Sequence, residues 1–132
     1  MVRSLTATAP FTNDRYDEEP YGEAAGTELS RVHISRTFTG DLEGESTAEL
    51  LIARAEGGGG YIGHDRISGI LQGRSGSFVF QHGGLLGPEG VSNTGTIVPG
   101  TGTGELEGIS GEGTMLADEE GNHTLTFDYE LG

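Results

Sequence analysis

The clearest pattern in this chain is a strict alternation of apolar and polar residues close to its C-terminus. One face of the run 122–131 carries the large side chains, which are His123, Leu125, Phe127, Tyr129 and Leu131. The other face carries mainly threonine and acidic residues. Because successive side chains of a strand point to opposite sides, this period of two predicts a β-strand with one buried face.

Seven further runs along the chain show strand-like patterning. They lie at 3–11, 28–39, 42–55, 61–72, 77–82, 91–99 and 102–116. Residues 46–56 are good helix formers by local propensity, but strand neighbours at hairpin distances favour a strand there. Eight short strands at this spacing are typical of a β-sandwich or a barrel.

The segment 12–27 is the longest interval without a strand signal. It is polar, and it contains Pro20 and Gly22 among several acidic residues. Such a composition predicts a polar loop, with one helical turn as an alternative. The chain length predicts that this loop belongs to a single domain covering residues 1–132.

Glycine is unusually frequent, at 25 of 132 residues, and two glycine-rich runs keep a strand-like alternation, at 73–84 and 97–113. Glycine weakens an ordinary strand, but it is useful at bulges, at tight bends and where backbones approach closely. The two runs therefore indicate a strongly curved sheet. The sequence therefore predicts an all-β fold, either a sandwich or an up-and-down barrel, and closure into a barrel would remove the exposed edges of such a sheet.

Charge and composition narrow the classes of partner. The net charge of −14 argues against nucleic acid, whose phosphates would be repelled, and favours a solvated acidic surface. No apolar run approaches the ~20 residues of a membrane-spanning helix, and the N-terminal residues lack the apolar stretch of a secretory signal. We therefore expect a cytoplasmic protein without a membrane partner. The thin core favours a homo-oligomer, a dimer or larger.

Four segments resemble a family of small, mostly bacterial proteins of uncharacterised function. They are Gly40-Asp-Leu-Glu-Gly, Gly73-Arg-Ser-Gly-Ser-Phe-Val-Phe-Gln-His, Val98-Pro-Gly-Thr-Gly-Thr-Gly-Glu-Leu and Asp128-Tyr-Glu-Leu. The resemblance covers the chain from about Leu29, and the second segment is its most specific part. It implies an all-β fold, an eight-stranded antiparallel up-and-down barrel similar to that of allene oxide cyclase, and an oligomer. It implies no established activity, although barrels of that wider fold include cofactor-free cyclases.

The barrel prediction places one face of each strand in the interior. With the apolar face of 122–131 inward, the side chains expected to line a ligand site are Tyr61, Ile67, Leu71, Phe78, Phe80, His123, Phe127 and Tyr129. An apolar, aromatic lining with a few polar groups is typical of a pocket for a small apolar molecule. A lumen filled by these same side chains, with no room for a ligand, is an equally open interpretation.

His82 and Asp65 are the candidate catalytic residues. Histidine titrates near neutral pH, and His82 ends an aromatic strand, so it is suited to proton transfer. Its alternative role is a structural hydrogen bond to a turn at Gly83-Gly84. Asp65 shares the inward parity, where apolar surroundings would raise the pKa of its carboxyl group. Its alternative is an ion pair with Arg66 or Arg74.

No metal or organic cofactor is predicted. The chain has no cysteine, and His33, His64, His82 and His123 are far apart, with no His-x-His pair. The run 100–104 resembles a phosphate loop in composition but lacks the Lys-Ser/Thr that follows one. The sequence therefore favours a cofactor-free cyclase or isomerase acting on an apolar metabolite in the lumen. The alternative is a non-catalytic barrel that binds a hydrophobic ligand or has a structural role as an oligomer.

Overall fold

The computed structural model of the chain describes residues 4–131. The ends of the predicted 1–132 domain, residues 1–3 and 132, lie outside the described residues. The strands are β1 (Ser4–Ala24), β2 (Thr27–Phe38), β3 (Leu42–Ala55), β4 (Gly58–Leu71), β5 (Arg74–Gly87), β6 (Gly90–Ile97), β7 (Thr103–Gly104), β8 (Ile109–Ala117) and β9 (His123–Leu131). Residues 4–131 contain no helix, so the all-β prediction is confirmed. It follows that this part of the chain has no helix long and apolar enough to cross a membrane.

The strands form one antiparallel sheet that closes on itself. Its order is β4-β3-β2-β1-β9-β8-β6-β5-β7, and β4 also pairs with β5. That additional pairing turns the sheet into a ring, with β7 paired to β5 beside it. Closure satisfies the backbone groups of strands that would otherwise be open edges, which fits the curvature expected from the glycine-rich runs.

The predicted polar loop at about 12–27 is corrected by the structure. This segment continues β1 as far as Ala24, and it forms a long hairpin arm with β2. The turn at Ala25 and Gly26 has a left-handed backbone, with φ of 52° and 82°. The acidic residues and Pro20 gave no strand signal because the arm is largely exposed and has no alternating apolar face. Its strand form comes from pairing with β2.

The predicted run 102–116 divides into two strands, so the sheet formed by residues 4–131 has nine strands instead of the expected eight. A turn at 105–108 separates β7 from β8. Gly104 and Gly108 have φ of 60° and 85°, which glycine adopts without strain. Leu106, in the same turn, is 1% exposed and packs into the core. The glycines of this run therefore serve a turn as well as a strand.

The inner face of the ring carries two apolar clusters with polar side chains between them. The larger cluster includes Phe38, Ile67 and Phe80, and the smaller one is formed by Val32, Ile34, Ala48 and Leu50. In β2, the buried side chain of Arg36 lies on the inner face, and its two neighbours on that face are Ile34 and Phe38. The same order of apolar, polar and apolar side chains recurs on β3 and β4. A layer of buried polar side chains therefore separates the two apolar clusters of the interior.

Candidate functional site

The buried polar layer consists of side chains from four successive strands. Arg36, Ser46, Asp65 and His82 come from β2, β3, β4 and β5, and each is between 0% and 6% exposed. Arg36 and Ser46 are direct cross-strand partners. From Ser46 to Asp65 and from Asp65 to His82, the layer moves one diagonal step per strand. Diagonal neighbours on one face are close enough for long side chains to meet.

Asp65 is the centre of this layer and accepts hydrogen bonds from three side chains. Arg36 Nε donates to Oδ1 at 2.8 Å, Ser46 Oγ donates to Oδ1 at 2.7 Å, and His82 Nε2 lies 2.6 Å from Oδ2. Burial raises the pKa of Asp65, but the hydrogen bond from His82 and the charge of Arg36 outweigh burial and hold that pKa below its ordinary value. The expectation of a raised pKa is therefore corrected. The ion-pair partner is Arg36, and neither Arg66 nor Arg74 takes that place.

The charge of Asp65 fixes the hydrogen-bonding state of His82. An ionised carboxylate only accepts, so His82 Nε2 carries the hydrogen in this contact. In a neutral imidazole the other nitrogen, Nδ1, is then free to accept. Nδ1 lies 3.0 Å from Tyr61 Oη, which then donates to it. A structural bond to a turn at Gly83-Gly84 is not what holds His82, since β5 continues through both glycines to Gly87.

Tyr61 connects the buried layer to the outside through Asn93. Asn93 Nδ2 donates to Tyr61 Oη at 2.7 Å, and Asn93 Oδ1 accepts from the backbone N–H of Met115 at 3.1 Å. Burial raises the pKa of the Tyr61 hydroxyl group. The oxygen of Tyr61 thus receives one hydrogen bond and donates another to His82. This leaves a phenol oxygen with a free lone pair at the edge of the interior.

A cavity of about 390 Å³ opens at the end of the ring where the β3–β4 and β5–β6 hairpins turn. Its lining includes Ile52, Tyr61, Leu85, Leu86, Val91 and Asn93. The three rim side chains Leu85, Leu86 and Val91 are 69%, 54% and 74% exposed. The cavity therefore has a largely apolar wall, and the polar side chains in its lining are those of Tyr61, Asn93, Ser92 and Arg54.

An ion pair lies beside this cavity. Both guanidinium nitrogens Nη1 and Nη2 of Arg54 donate to the carboxylate of Glu18, and Tyr16 Oη donates to Glu18 at 2.8 Å. The hydrogen bonds from Arg54 and from Tyr16 lower the pKa of Glu18 to about 2. Arg54 also lines the cavity, but its charge is already paired. This part of the wall therefore offers a ligand no free cation.

Comparison with known proteins places the chain in a family. The family model described as a protein of unknown function (DUF3224) matches residues 7–129. The chain belongs to the DUF3224 family. It is similar to the crystal structure of a DUF3224 protein of unknown function from Shewanella oneidensis MR-1, at 30% sequence identity, with 96% of each chain covered and a TM-score of 0.83. The search of the curated proteins finds no match.

These findings confirm that the chain resembles a family of uncharacterised function. They also support the all-β architecture, since the two structures superpose with a TM-score of 0.83 over 96% of each chain. The likeness to the allene oxide cyclase barrel stays a prediction.

Most residues predicted to bind a ligand lie in the packed core of this DUF3224 chain. Ile67, Leu71, Phe78, Phe80, Phe127 and Tyr129 all belong to the larger apolar cluster and are at most 2% exposed. His123 is half-buried and stacks on Phe11, with ring centroids 5.3 Å apart. Of the predicted set, Tyr61 lines the cavity at the hairpin end. The ligand roles of the others stay predictions.

Sequence reasoning missed three residues of the polar layer and its outlet, namely Arg36, Ser46 and Asn93. For Arg36 a signal was present, because it has the same parity as Val32, Ile34 and Phe38 and so had to face inward. Ser46 shares the parity of Ala48 and Leu50 in the same way. Asn93 gave only a weak signal, since Ile97 is the one buried apolar side chain of its strand and Gly95 lies between the two on the same face.

The polar layer is not arranged as a metal centre. Within residues 4–131, no group of three or more His, Asp or Glu side chains is placed to hold a metal ion. The carboxylate oxygens of Asp65 accept hydrogen bonds from Arg36, Ser46 and His82, where a metal centre would use them as ligands. The layer is suited to holding charge and moving a proton.

Proposed function

We propose that this DUF3224 protein binds a small, largely apolar molecule in the cavity at the hairpin end, with one polar group of that molecule on Tyr61. The observation that supports this most directly is the combination of an apolar wall with a tyrosine hydroxyl that is held from behind by His82. Ligand sites are commonly cavities of ~300–1,000 Å³ with mostly apolar walls and a few fixed polar groups. The volume of about 390 Å³ lies in that range.

The exposed rim supports the same proposal. Leu85, Leu86 and Val91 are large apolar side chains that water covers in the free protein. A ligand that reached the rim would remove part of this apolar surface from water, which is favourable. Clustered apolar exposure of this kind marks binding sites more often than scattered single residues do.

Charge indicates which ligands the cavity favours. The chain carries a net charge of −14, and Glu18 and Arg54 beside the cavity neutralise each other. An anionic ligand would approach against the field of the whole protein and would find no free cation at the wall. A neutral molecule fits this site best.

The wider architecture and activity follow from the same features. We infer that the closed ring is an up-and-down barrel of the allene oxide cyclase type, which the antiparallel pairing of successive strands supports. The series from Tyr61 to Asp65 favours a cofactor-free isomerase or cyclase as a second candidate function, since it links a cavity hydroxyl to a buried base. Cytoplasmic location and a homo-oligomer stay predictions.

Fluorescence titration with N-phenyl-1-naphthylamine tests the binding proposal. This probe is neutral and apolar, so the charge of −14 does not repel it. We expect saturable binding that Leu86→Glu weakens at least tenfold, because the new carboxylate lies on the apolar wall. Ile70→Glu is the matched control, since Ile70 is 47% exposed and does not line the cavity.

Two results would overturn this proposal. One is the absence of saturable binding by the unaltered chain, and the other is equal weakening by Leu86→Glu and Ile70→Glu. Light scattering on the same samples separates a third outcome. Suppose that the unaltered protein is an oligomer that does not bind the probe, and that Leu86→Glu halves its molar mass. The apolar rim is then an interface with a second copy of the chain.

A further inference from the structure

Tyr61, His82 and Asp65 form a hydrogen-bonded series that leads from the cavity into the interior. Tyr61 Oη lies 3.0 Å from His82 Nδ1, and His82 Nε2 lies 2.6 Å from Asp65 Oδ2. A hydroxyl, an imidazole and a buried carboxylate in this order are the parts of an activated hydroxyl group. The carboxylate holds the imidazole in the tautomer that accepts, and the imidazole can then take the proton of the hydroxyl.

We propose that Tyr61 moves a proton to and from a carbon atom beside a ligand carbonyl, with His82 as the store for the proton that Tyr61 gives up. The substrate class is a small, apolar carbonyl compound with an enolisable C–H. This inference rests on the proposed function, because the ligand must first occupy the cavity lined by Tyr61.

The step balances without any further reactant. Tyr61 Oη takes the proton from the α-carbon of the ligand while its own proton passes to His82 Nδ1. The C–H bond and the old O–H bond break, and a new O–H and a new N–H bond form. The ligand becomes an enolate, and His82 becomes an imidazolium. Return of the proton to the same or another carbon restores Tyr61 and His82.

The surroundings stabilise the charges that the step creates. The imidazolium of His82 forms 2.6 Å from the carboxylate of Asp65, which remains ionised through its contacts with Arg36 and Ser46. Asn93 also lines the cavity, and its amide nitrogen carries a second N–H besides the one donated to Tyr61. Such a donor can stabilise the oxygen of an enolate.

Tyr61 is the group that meets the ligand, and His82 acts through it. His82 is 4% exposed, and the cavity is lined by Tyr61. Burial raises the pKa of the Tyr61 hydroxyl, and His82 Nδ1, 3.0 Å from that oxygen, is placed to take its proton. The charged or titratable groups that face His82 are Asp65, Arg36 behind Asp65, and Tyr61.

The test is deuterium exchange of 1-tetralone in D₂O, followed at its C2 protons by NMR. This ketone is apolar and enolisable, and its exchange in buffer is slow. We expect the unaltered protein to accelerate exchange at least tenfold over buffer. Tyr61→Phe should abolish the acceleration, and His82→Gln should reduce it at least tenfold. The matched controls are Tyr21→Phe and His64→Gln, both at exposed positions, and these should keep the rate.

A pH profile distinguishes proton storage by His82 from a structural role. In the unaltered protein, exchange should be slower where the imidazole is protonated, because a protonated ring cannot take the proton of Tyr61, and this should appear as a step in the pH profile. His82→Gln should remove this step from the profile even where some exchange remains. If Tyr61→Phe does not fold, the comparison of His82→Gln with His64→Gln decides the question.

Displacement of N-phenyl-1-naphthylamine by 1-tetralone separates this inference from the proposed function. If the ketone displaces the probe but exchange equals that in buffer, the proton-transfer role is overturned and ligand binding stands. If the probe binds and the ketone does not displace it, the assignment of carbonyl compounds is overturned. If the probe itself does not bind and exchange equals that in buffer, both proposals fail.

Discussion

Asp65 and His82 stand one diagonal step apart on neighbouring strands, and their side chains meet at 2.6 Å although they are not direct cross-strand partners. The direct partner of Asp65 is Phe80, and that of His82 is Gly63. On its other side, His82 faces Gly95 of β6. With glycine on both flanks, the imidazole ring has room to lean towards Asp65 and to stack on Phe80, at a centroid distance of 5.5 Å. The glycines therefore make space for the polar layer.

Asp65→Asn should lower stability strongly. The change removes the carboxylate and leaves the guanidinium of Arg36, which is 6% exposed, without its counter-charge. Breaking a buried pair in this way costs about 3–5 kcal/mol. Urea unfolding measures the loss. Asp17→Asn is the control, because the Arg15–Asp17 pair is exposed and should contribute about 0–1 kcal/mol. Equal losses in the two variants would contradict a special role for the buried pair.

Stability should fall in acid over a window set by Asp65 and Glu18. The pKa of each is lowered by folding, and that of Glu18 to about 2. A carboxyl group with a lowered pKa stabilises the folded state above its unfolded pKa, about 4, and this contribution is lost as the pH falls through the folded pKa. Urea midpoints at pH 7, 5, 4 and 3 should therefore be steady down to about pH 5 and then decline.

The acid decline has its own control. In Asp65→Asn, the part of the decline that comes from Asp65 should be absent, so the curve between pH 5 and 3 becomes flatter. A variant that declines as steeply as the unaltered chain would show that Asp65 does not drive the acid loss.

Gly95→Ala should destabilise the fold. A Cβ atom at Gly95 would overlap the ring of Phe80 and lie 3.1 Å from the Cβ of His82. Overpacking of a tight interior costs about 1–3 kcal/mol. Gly87→Ala is the matched control, since a Cβ atom there meets nothing within 4 Å. Thermal unfolding of the two variants measures the difference, and a stable Gly95→Ala protein would show that this contact relaxes freely.

Asn93→Ala should loosen the junction between β6 and β8. Within the described chain, these strands pair at Gly95–Gly113 and Thr96–Glu112. Beyond Gly95, the side-chain oxygen of Asn93 accepts a hydrogen bond from the backbone N–H of Met115 in place of a backbone partner. Loss of this acceptor should speed hydrogen exchange of the Met115 amide about tenfold or more, as measured by NMR. Ser92→Ala, at the exposed neighbouring residue, should leave that amide unchanged. Unchanged exchange in Asn93→Ala would mean that the N–H is protected by other contacts.

The predicted homo-oligomer can be tested by light scattering at micromolar concentration. Leu51, Ile62 and Leu116 are between 39% and 64% exposed and do not line the cavity at the hairpin end, and burying such side chains between copies would be favourable. We expect a molar mass of at least twice 13.8 kDa. A mass of 13.8 kDa across the concentration range would contradict the prediction.

Most strands could be predicted because the ring buries one face of the sheet. Burial on one side leaves a period of two in the sequence, as in β9 and in the inward parity of Asp65 and His82. The strand over residues 42–55 was predicted correctly against the helix propensity of residues 46–56, because its neighbours lie at hairpin distances. The hairpin arm of β1 lacked this period of two, because both of its faces are largely exposed and neither is apolar.

The site was harder to predict than the fold because its contacts cross strands. Parity indicates that Asp65 faces inward, but the identity of its partner depends on register across β2, β3 and β4. Arg66 and Arg74 are nearer in sequence, yet Arg36 provides the ion pair. Asn93 can bond to Tyr61 and Met115 because the direct pairing of β6 and β8 stops at Gly95. No pattern within one strand predicts where two strands separate.

The pairing of β1 with β9 joins the two ends of the described chain, with Ser4 opposite Glu130. Neighbouring strands elsewhere in the ring are close in sequence, so their contacts can form early and locally. Closure must wait until β9 has been synthesised, and it brings together Ala7 and Phe127, both at most 2% exposed in the finished core. The rate at which this protein folds should therefore be limited by one long-range encounter. A nascent chain that still lacks β9 would have an unpaired apolar edge, with its acidic charge as the main protection against aggregation.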